Sequence, residues 1–172
     1  PAKARGQQAA YVGATIPVPV IAAVHGVAFG GGLQVALGAD IRLVAPDAQL
    51  SVMEIKWGLV PDMTGTQLLP ELVGRDVAKE LTFTGRVVSG TEAAELGLAT
   101  RVEPDPRAAA LELAREIASK SPEAVRHSKR LLDAEGFDAE QEAIGSLIGS
   151  PNQTEAVKAN LERRDPRFTD PA

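Results

Sequence analysis

Hydrophobic and polar positions follow two different patterns, one before Gly65 and one after it. Before Gly65, the β-branched run VPVIAAV at 18–24 predicts a buried strand, IRLVA at 41–45 predicts a second, and the alternation of AQLSVMEI at 48–55 predicts a third. The segment LQVALGAD, between the first two, has apolar residues at helical spacing. Strand, helix and strand in this order predict an α/β fold.

After Gly65 nearly every segment has helical periodicity. Apolar residues recur three and four apart at 66–83, 89–98, 105–120, 121–136, 138–149 and 152–164. Asp105 and Pro106 form a favourable cap and first-turn pair, and Ser89 and Gly97 bound the segment at 89–98. We therefore expect two parts, with strands and short helices in 1–104 and helices in 105–172.

Three consecutive glycines, Gly30–Gly32, interrupt the apolar pattern between the first strand and the helix. Glycine is unfavourable inside helices and strands, so the triplet indicates an unusual turn or a close approach of another group. One interpretation is that the glycines let the helix pack close to the strand. Another is an oxyanion site, because the first N–H groups of a helix have no intrahelical partner and lie at the positive end of its dipole.

A dinucleotide site is a third interpretation of the same glycines. Gly26, Gly30 and Gly32 match the G-x-x-x-G-x-G spacing of some nicotinamide dehydrogenases. The acidic residue that binds the ribose must follow the next strand, whereas Asp40 precedes it. The one tyrosine, Tyr11, lies upstream, although these dehydrogenases use a downstream Tyr-x-x-x-Lys. The sequence therefore disfavours this interpretation.

The composition excludes several classes of function. The 172-residue chain has 44% hydrophobic and 24% charged residues, which is the composition of an ordinary soluble domain. Its net charge is −5, so it has no excess of positive charge that would attract nucleic acid or anionic membranes. It has no cysteine, and His25 and His127 lie far apart, so we expect no metal site. No apolar run has the length of a membrane span and no signal-peptide pattern opens the sequence, so we expect a cytoplasmic protein.

Three segments resemble the enoyl-CoA hydratase/isomerase (crotonase) superfamily. They are IPVPVIAAVHGVAFGGGLQVALGADIRLVAPDAQLSVMEIKWGLVPDMTGTQLLPELVG at 16–74, LTFTGRVVSGTEAAELGLATRV at 81–102 and LERRDPRF at 161–168. The resemblance implies a crotonase-like ββα spiral core, of which 1–104 is the C-terminal part, and a helical trimerisation region in 105–172. Members of the family carry a longer segment before IPVPVIAAVHG, so we expect this chain to lack the usual N-terminal part.

The resemblance also implies an acyl-CoA thioester substrate whose enolate is held by two backbone N–H groups. Gly31 supplies the second of these groups, and the first lies in the N-terminal part of the family. The expected partners are an acyl-CoA and further copies of the chain, as a trimer or a dimer of trimers, with neither nucleic acid nor membrane. Coenzyme A enters only as part of the substrate, and no other cofactor is implied because the thioester itself acidifies the α-proton.

The acid/base residues implied by the resemblance are Glu54 and Asp62. Glu54 matches the hydratase glutamate, and Asp62 matches an aspartate of the dienoyl-CoA isomerase branch. Gln34 stands where hydratases have a glutamate, and a neutral amide orients groups but transfers no proton. Glu54 as a surface carboxylate and Asp62 as part of a Pro-Asp turn are the structural alternatives.

Further residues are assigned to substrate binding by the same resemblance. Phe29, Gly30 and Trp57 fall beside the acyl group, with core packing as the alternative for Trp57. Arg164 and Phe168 fall where family tails meet the CoA nucleotide, and a solvated basic tail is the alternative.

Double-bond isomerisation of a (di)enoyl-CoA is the function favoured by Glu54 and Asp62. The alternatives are hydration of a 2-enoyl-CoA and a non-catalytic acyl-CoA-binding homologue that lost activity with Gln34.

Overall fold

The computed structural model describes residues 5–134 and 136–170, which form two compact units. The first unit comprises the described residues up to Ile16 together with Val20–Leu111. The second comprises Pro17–Pro19 and the described residues from Glu112 onward.

Within the described residues, six short strands form two three-stranded sheets in the first unit. The strands are β1 (Ile21–Val24), β2 (Val27–Phe29), β3 (Ile41–Val44), β4 (Gln49–Ser51), β5 (Val88–Ser89) and β6 (Arg101–Val102). One sheet has the order β1-β3-β6 and is parallel, and the other has the order β2-β4-β5, in which β5 runs antiparallel to β4. The chain passes from the first sheet to the second after β1 and again after β3, so successive turns stack their strands in register.

Short helices accompany the two sheets in the first unit. They are α1 (Arg5–Thr15), α2 (Gly31–Leu37), a 3₁₀ helix (Met53–Trp57), α3 (Gly65–Val73), α4 (Arg75–Thr84) and α5 (Gly90–Leu96). The helix α6 (Pro106–Ala118) begins in the first unit and continues into the second. The buried leucines of the first unit's helices pack with the strands into one core, whose largest fully buried members are Leu33, Leu50, Leu69, Leu81 and Leu98. The α1 and α2 segments pack closely at Gly13 and Gly38, where a side chain would collide with the facing backbone.

The structure confirms the strands predicted at 18–24 and 41–45 and corrects two other predicted elements. The strand predicted at 48–55 ends at Ser51, because its neighbour β2 ends at Phe29, the register partner of Ser51, and no other strand in residues 5–134 or 136–170 continues the ladder. The helical segment at 66–83 is two helices, divided at Gly74, whose φ of +79° helices do not contain.

The second unit contains α7 (Pro122–Ala134), α8 (Phe137–Leu147) and α9 (Pro151–Glu162). Asn152, 4% exposed, ties α9 to the segment after it, because its side chain donates to the Thr169 carbonyl at 2.7 Å and accepts from the Thr169 N–H at 3.0 Å. It also donates to Glu123 of α7 at 3.1 Å. Among the helices described, each is too short or too polar to cross a bilayer.

Candidate active site

Gly30 forms the junction between β2 and α2. Its φ of +53° lies in the left-handed region, and its N–H donates to the Ser51 carbonyl at the end of β4 at 2.9 Å. A Cβ at Gly30 would lie 3.2 Å from Oε1 of Glu54. Both the backbone conformation and the approach of the Glu54 carboxylate therefore favour glycine here.

The other two glycines of the triplet are less constrained. Gly31 is the first residue of α2, so its N–H has no intrahelical acceptor, and a Cβ there would meet only the flexible Met63 side chain, with Sδ at 3.1 Å. A Cβ on the exposed Gly32 would meet nothing within 4 Å. The triplet thus combines one conformational requirement, at Gly30, with an open N–H at Gly31.

Gln34 occupies the buried face of α2, where it is 2% exposed. Its Nε2 donates to Oε1 of Glu54 at 2.6 Å, and its Oε1 accepts from the N–H groups of Met63 at 2.8 Å and Gly65 at 3.0 Å. Gln34, which stands where hydratases have a glutamate, therefore links three segments of the first unit.

Glu54 lies in the 3₁₀ helix rather than on the predicted strand. The side chain is half-buried, with Oε1 accepting from Gln34, while Oε2 is buried and has no hydrogen-bond partner among the described residues. A surface carboxylate would have both oxygens in water. A buried carboxylate oxygen without a partner is uncommon in folded proteins, and a catalytic role is one physical reason for it.

The turn before α3 contains Asp62, Met63 and Thr64. Asp62 is exposed, and within the described residues no hydrogen bond or ion pair holds its carboxylate. Thr64 has a φ of +75°, rare for a residue with a side chain, and its buried Oγ1 has no partner in the part of the chain that the structure describes. A Cβ on the following Gly65 would lie 2.8 Å from Oε1 of Gln34.

Sequence analysis missed the contributions of Met63, Thr64 and Gly65. The one available signal was Gly65 itself, a glycine opening a helical segment directly after a Pro-Asp turn, which indicates a close approach. The structure brings Gly30, Gly31, Gln34 and Glu54 together and adds this turn to them.

Phe29 and Trp57 border the same region in different environments. Phe29 is half-buried at the end of β2, next to Gly30. Trp57 is 76% exposed at the end of the 3₁₀ helix, so the alternative of core packing is wrong for it. Their contacts with an acyl group remain predictions.

Arg164 and Phe168 belong to the second unit. Arg164 donates to both oxygens of Glu155, at 2.6 and 3.0 Å, and to Glu162 at 2.7 Å. These bonds hold the pKa of the Arg164 guanidinium above its ordinary value. Phe168 is half-buried in the segment that follows α9. Binding of CoA by either residue remains a prediction.

Across residues 5–134 and 136–170, histidine, aspartate and glutamate side chains form no group of three or more that could hold a metal ion. The site contains the half-buried carboxylate of Glu54, the amide of Gln34, the hydroxyl of Thr64 and the Gly31 N–H at the start of α2.

Comparison with known proteins identifies the family to which this chain belongs. The sequence model of the family described as enoyl-CoA hydratase/isomerase matches residues 5–171. The chain belongs to the enoyl-CoA hydratase/isomerase family. It is 41% identical to enoyl-CoA hydratase domain-containing protein 2, mitochondrial, of Mus musculus, over 90% of this chain and 57% of that protein. It is 38% identical to the mitochondrial methylglutaconyl-CoA hydratase of Mus musculus, over 90% of this chain and 54% of that protein.

A solved member of the enoyl-CoA hydratase/isomerase family confirms the predicted crotonase-like α/β fold. The crystal structure of enoyl-CoA hydratase from Bacillus anthracis superposes with a TM-score of 0.90 at 35% identity, covering 95% of this chain and 67% of that one. The chain thus spans about half to two thirds of the length of these relatives.

Proposed function

We propose that this chain carries the acid/base part of an enzyme that adds water to the double bond of a 2-enoyl-CoA thioester. The observation that supports this most directly is Glu54, with Oε1 bonded to Gln34 and Oε2 buried and unpartnered beside Gly30. The names of both mouse relatives and of the Bacillus anthracis structure favour hydration over isomerisation.

The proposed reaction uses Glu54 and the Gly31 N–H. Glu54 takes a proton from water as the water oxygen bonds to C3, and the C2–C3 π electrons move to the thioester, giving an enolate. The Gly31 N–H stabilises the enolate oxygen. Glu54 then returns its proton to C2, so water has been added and the carboxylate is restored.

A double-bond shift is the second candidate, and Gln34 is the observation that favours it. One carboxylate is enough to remove a proton from one carbon and return it to another, whereas the amide of Gln34 transfers none. The predicted pairing of Glu54 with Asp62 for a dienoyl-CoA has less support, because the exposed Asp62 carboxylate is not anchored.

The experiment compares two substrates on the full-length protein and its D62N variant. Loss of the enoyl thioester absorbance measures hydration of a 2-enoyl-CoA, and gain of conjugated dienoyl absorbance measures isomerisation of a 3,5-dienoyl-CoA. We expect faster hydration, and we expect it to survive D62N. Faster isomerisation that D62N abolishes would replace hydration with the isomerase function. Acyl-CoA binding without either reaction would indicate a non-catalytic homologue.

The proposal includes assembly into a trimer or a dimer of trimers. Large apolar side chains of the second unit are exposed, with Leu132 87%, Phe137 86% and Leu161 82% accessible. Exposed apolar surface of this kind supports an interface. Light scattering of the full-length protein at micromolar concentration should give a trimeric or hexameric mass, and a monomer would contradict the assembly.

A further inference from the structure

The Gln34 amide has one possible orientation in its surroundings. The N–H groups of Met63 and Gly65 only donate, so they require Oε1 of Gln34. An ionised carboxylate only accepts, so Glu54 requires Nε2. The side chain is 2% exposed, and all three of its hydrogen bonds require the same positions for Oε1 and Nε2.

The same contacts show what an amide supplies at this position that a carboxylate does not. A glutamate at position 34 would still accept from the two N–H groups. It would also place a second carboxylate oxygen against Oε1 of Glu54, where Nε2 now lies at 2.6 Å. Two carboxylates at such a distance do not both ionise readily. With Gln34, Glu54 has one bonded oxygen, while Oε2 has no partner among the described residues.

Gln34 also holds the turn that faces it. Its two backbone contacts lie on either side of Thr64, whose φ is +75° and whose Oγ1 is buried and unpartnered. A strained residue persists only where its surroundings hold it. One amide thus bonds the two segments that, within the described residues, present an unpartnered buried oxygen: the 3₁₀ helix with Glu54 and the turn with Thr64.

We propose that Gln34 is a positioning residue for Glu54. Its Nε2 holds Oε1 and so leaves Oε2 as the atom that takes and returns the proton, while its Oε1 holds the Met63–Gly65 turn in place. The inference rests on the proposed function, because it names the atom that acts in that reaction. It concerns alignment alone, since an amide transfers no proton.

The experiment uses the full-length protein and the variants Q34M, Q34E and Q67M. Methionine at position 34 lacks both polar atoms, glutamate keeps the acceptor and loses the donor, and Q67M makes the same replacement at the exposed Gln67 as a matched control. The measurements are kcat and KM across pH, amide hydrogen exchange at Met63 and Gly65, and the unfolding midpoint.

For Q34M, we expect kcat to fall about 10–100-fold with little change in KM, because a misplaced catalytic group loses rate rather than binding. Exchange at the Met63 and Gly65 amides should become faster. In Q34E the two amides should stay protected, but the acidic midpoint of the kcat–pH profile should rise by about one pH unit or more, because the two carboxylates share a proton. Q67M should change neither quantity.

Unchanged kcat and pH profile in Q34M and Q34E would overturn the positioning role. A lower unfolding midpoint in both variants with an unmoved pH profile would overturn it as well, because Gln34 would then be only a core residue. If Q34M does not fold, the pH profile of Q34E alone tests the positioning role: a raised acidic midpoint supports it and an unmoved one overturns it. No turnover by the wild type, with the Met63 and Gly65 amides still protected, would reject the proposed function and this assignment with it.

Discussion

Two glutamates, Glu54 in the first unit and Glu155 in the second, show how similar side chains serve different ends. Oε1 of Glu155 accepts from Arg164 at 2.6 Å and from the Arg167 N–H at 2.8 Å, and its Oε2 accepts from Arg164 at 3.0 Å. Both of its oxygens are satisfied. Glu54 is half-buried like Glu155, but one of its oxygens is bonded and the other has no partner within the residues described.

The two carboxylates differ in how many of their oxygens accept hydrogen bonds from the protein. A saturated carboxylate holds structure, because its bonds are complete without a ligand. A carboxylate with one buried, unpartnered oxygen has been oriented by the fold and left able to bond something else. Arg164 and Glu155 satisfy each other, whereas Gln34 orients Glu54 without satisfying it.

The largest effect should come from exchanging each glutamate for its amide. We expect E54Q to lower kcat by about 10²–10⁴-fold, because an amide cannot accept the proton, while the unfolding midpoint is retained. E155Q should leave kcat unchanged, and any influence through Arg164 should appear in KM. Steady-state kinetics and thermal unfolding of both full-length variants test this contrast. If E155Q lost as much kcat as E54Q, the two glutamates would not have different roles.

The next largest effect should come from Gly31, whose N–H is proposed to meet the thioester oxygen. G31P removes the N–H and still suits the first position of a helix, so turnover should fall by roughly 10²–10³-fold. G31A is the matched control, because it adds the Cβ beside Met63 and keeps the N–H. Near-normal kcat in G31P would show that this N–H is not an oxyanion donor.

A smaller effect should separate Gly30 from Gly32. G30A places a side chain at a φ of +53° and 3.2 Å from Oε1 of Glu54, so we expect it to cost about 1–2 kcal/mol of the free energy of unfolding and to lower kcat. G32A lies in open space in the first turn of α2 and should be neutral or stabilising. Urea unfolding measures both, and equal losses in the two variants would contradict the distinct role of Gly30.

The smallest effect should be the pH dependence contributed by Glu155. The bonds from Arg164, and then from the Arg167 N–H, lower the pKa of Glu155 from 4.5 to about 2. A carboxyl pKa that is lower in the folded chain stabilises the fold above the unfolded value of 4.5, and this contribution is lost as the pH falls through about 2.

Unfolding of the wild type and E155Q between pH 5 and pH 2 therefore measures this contribution directly. We expect a shallower fall in stability with acid for E155Q, and a smaller difference between the two proteins in high salt, because the pair is partly exposed. Parallel curves would show that the Arg164–Glu155 pair does not contribute to folding stability.

The sequence by itself determined the ends of several helices, because these ends depend on residues close together in the chain. The helix α5 is capped at its start by the Ser89 hydroxyl, which accepts from the Glu92 N–H. The helix α6 is capped in the same way by the Asp105 carboxylate, which accepts from the Ala108 N–H. In each case the two residues are three positions apart in the sequence. Gly97 ends α5 at a φ of +89°, as its position predicted. The ordered motifs were also sufficient to indicate the family.

Only the tertiary structure decided the strand ends and the site. The strand β4 ends at Ser51 because β2, a distant segment, supplies no further partner, and this places Glu54 in a 3₁₀ helix. Gln34 meets Glu54, Met63 and Gly65 across separations of 20, 29 and 31 residues. Side-chain type alone does not say which distant groups a buried amide will face, because that depends on how the turns of the chain stack. The sequence therefore identified Gln34 as unusual, and the packing of α2 against the two facing segments gave that amide its partners.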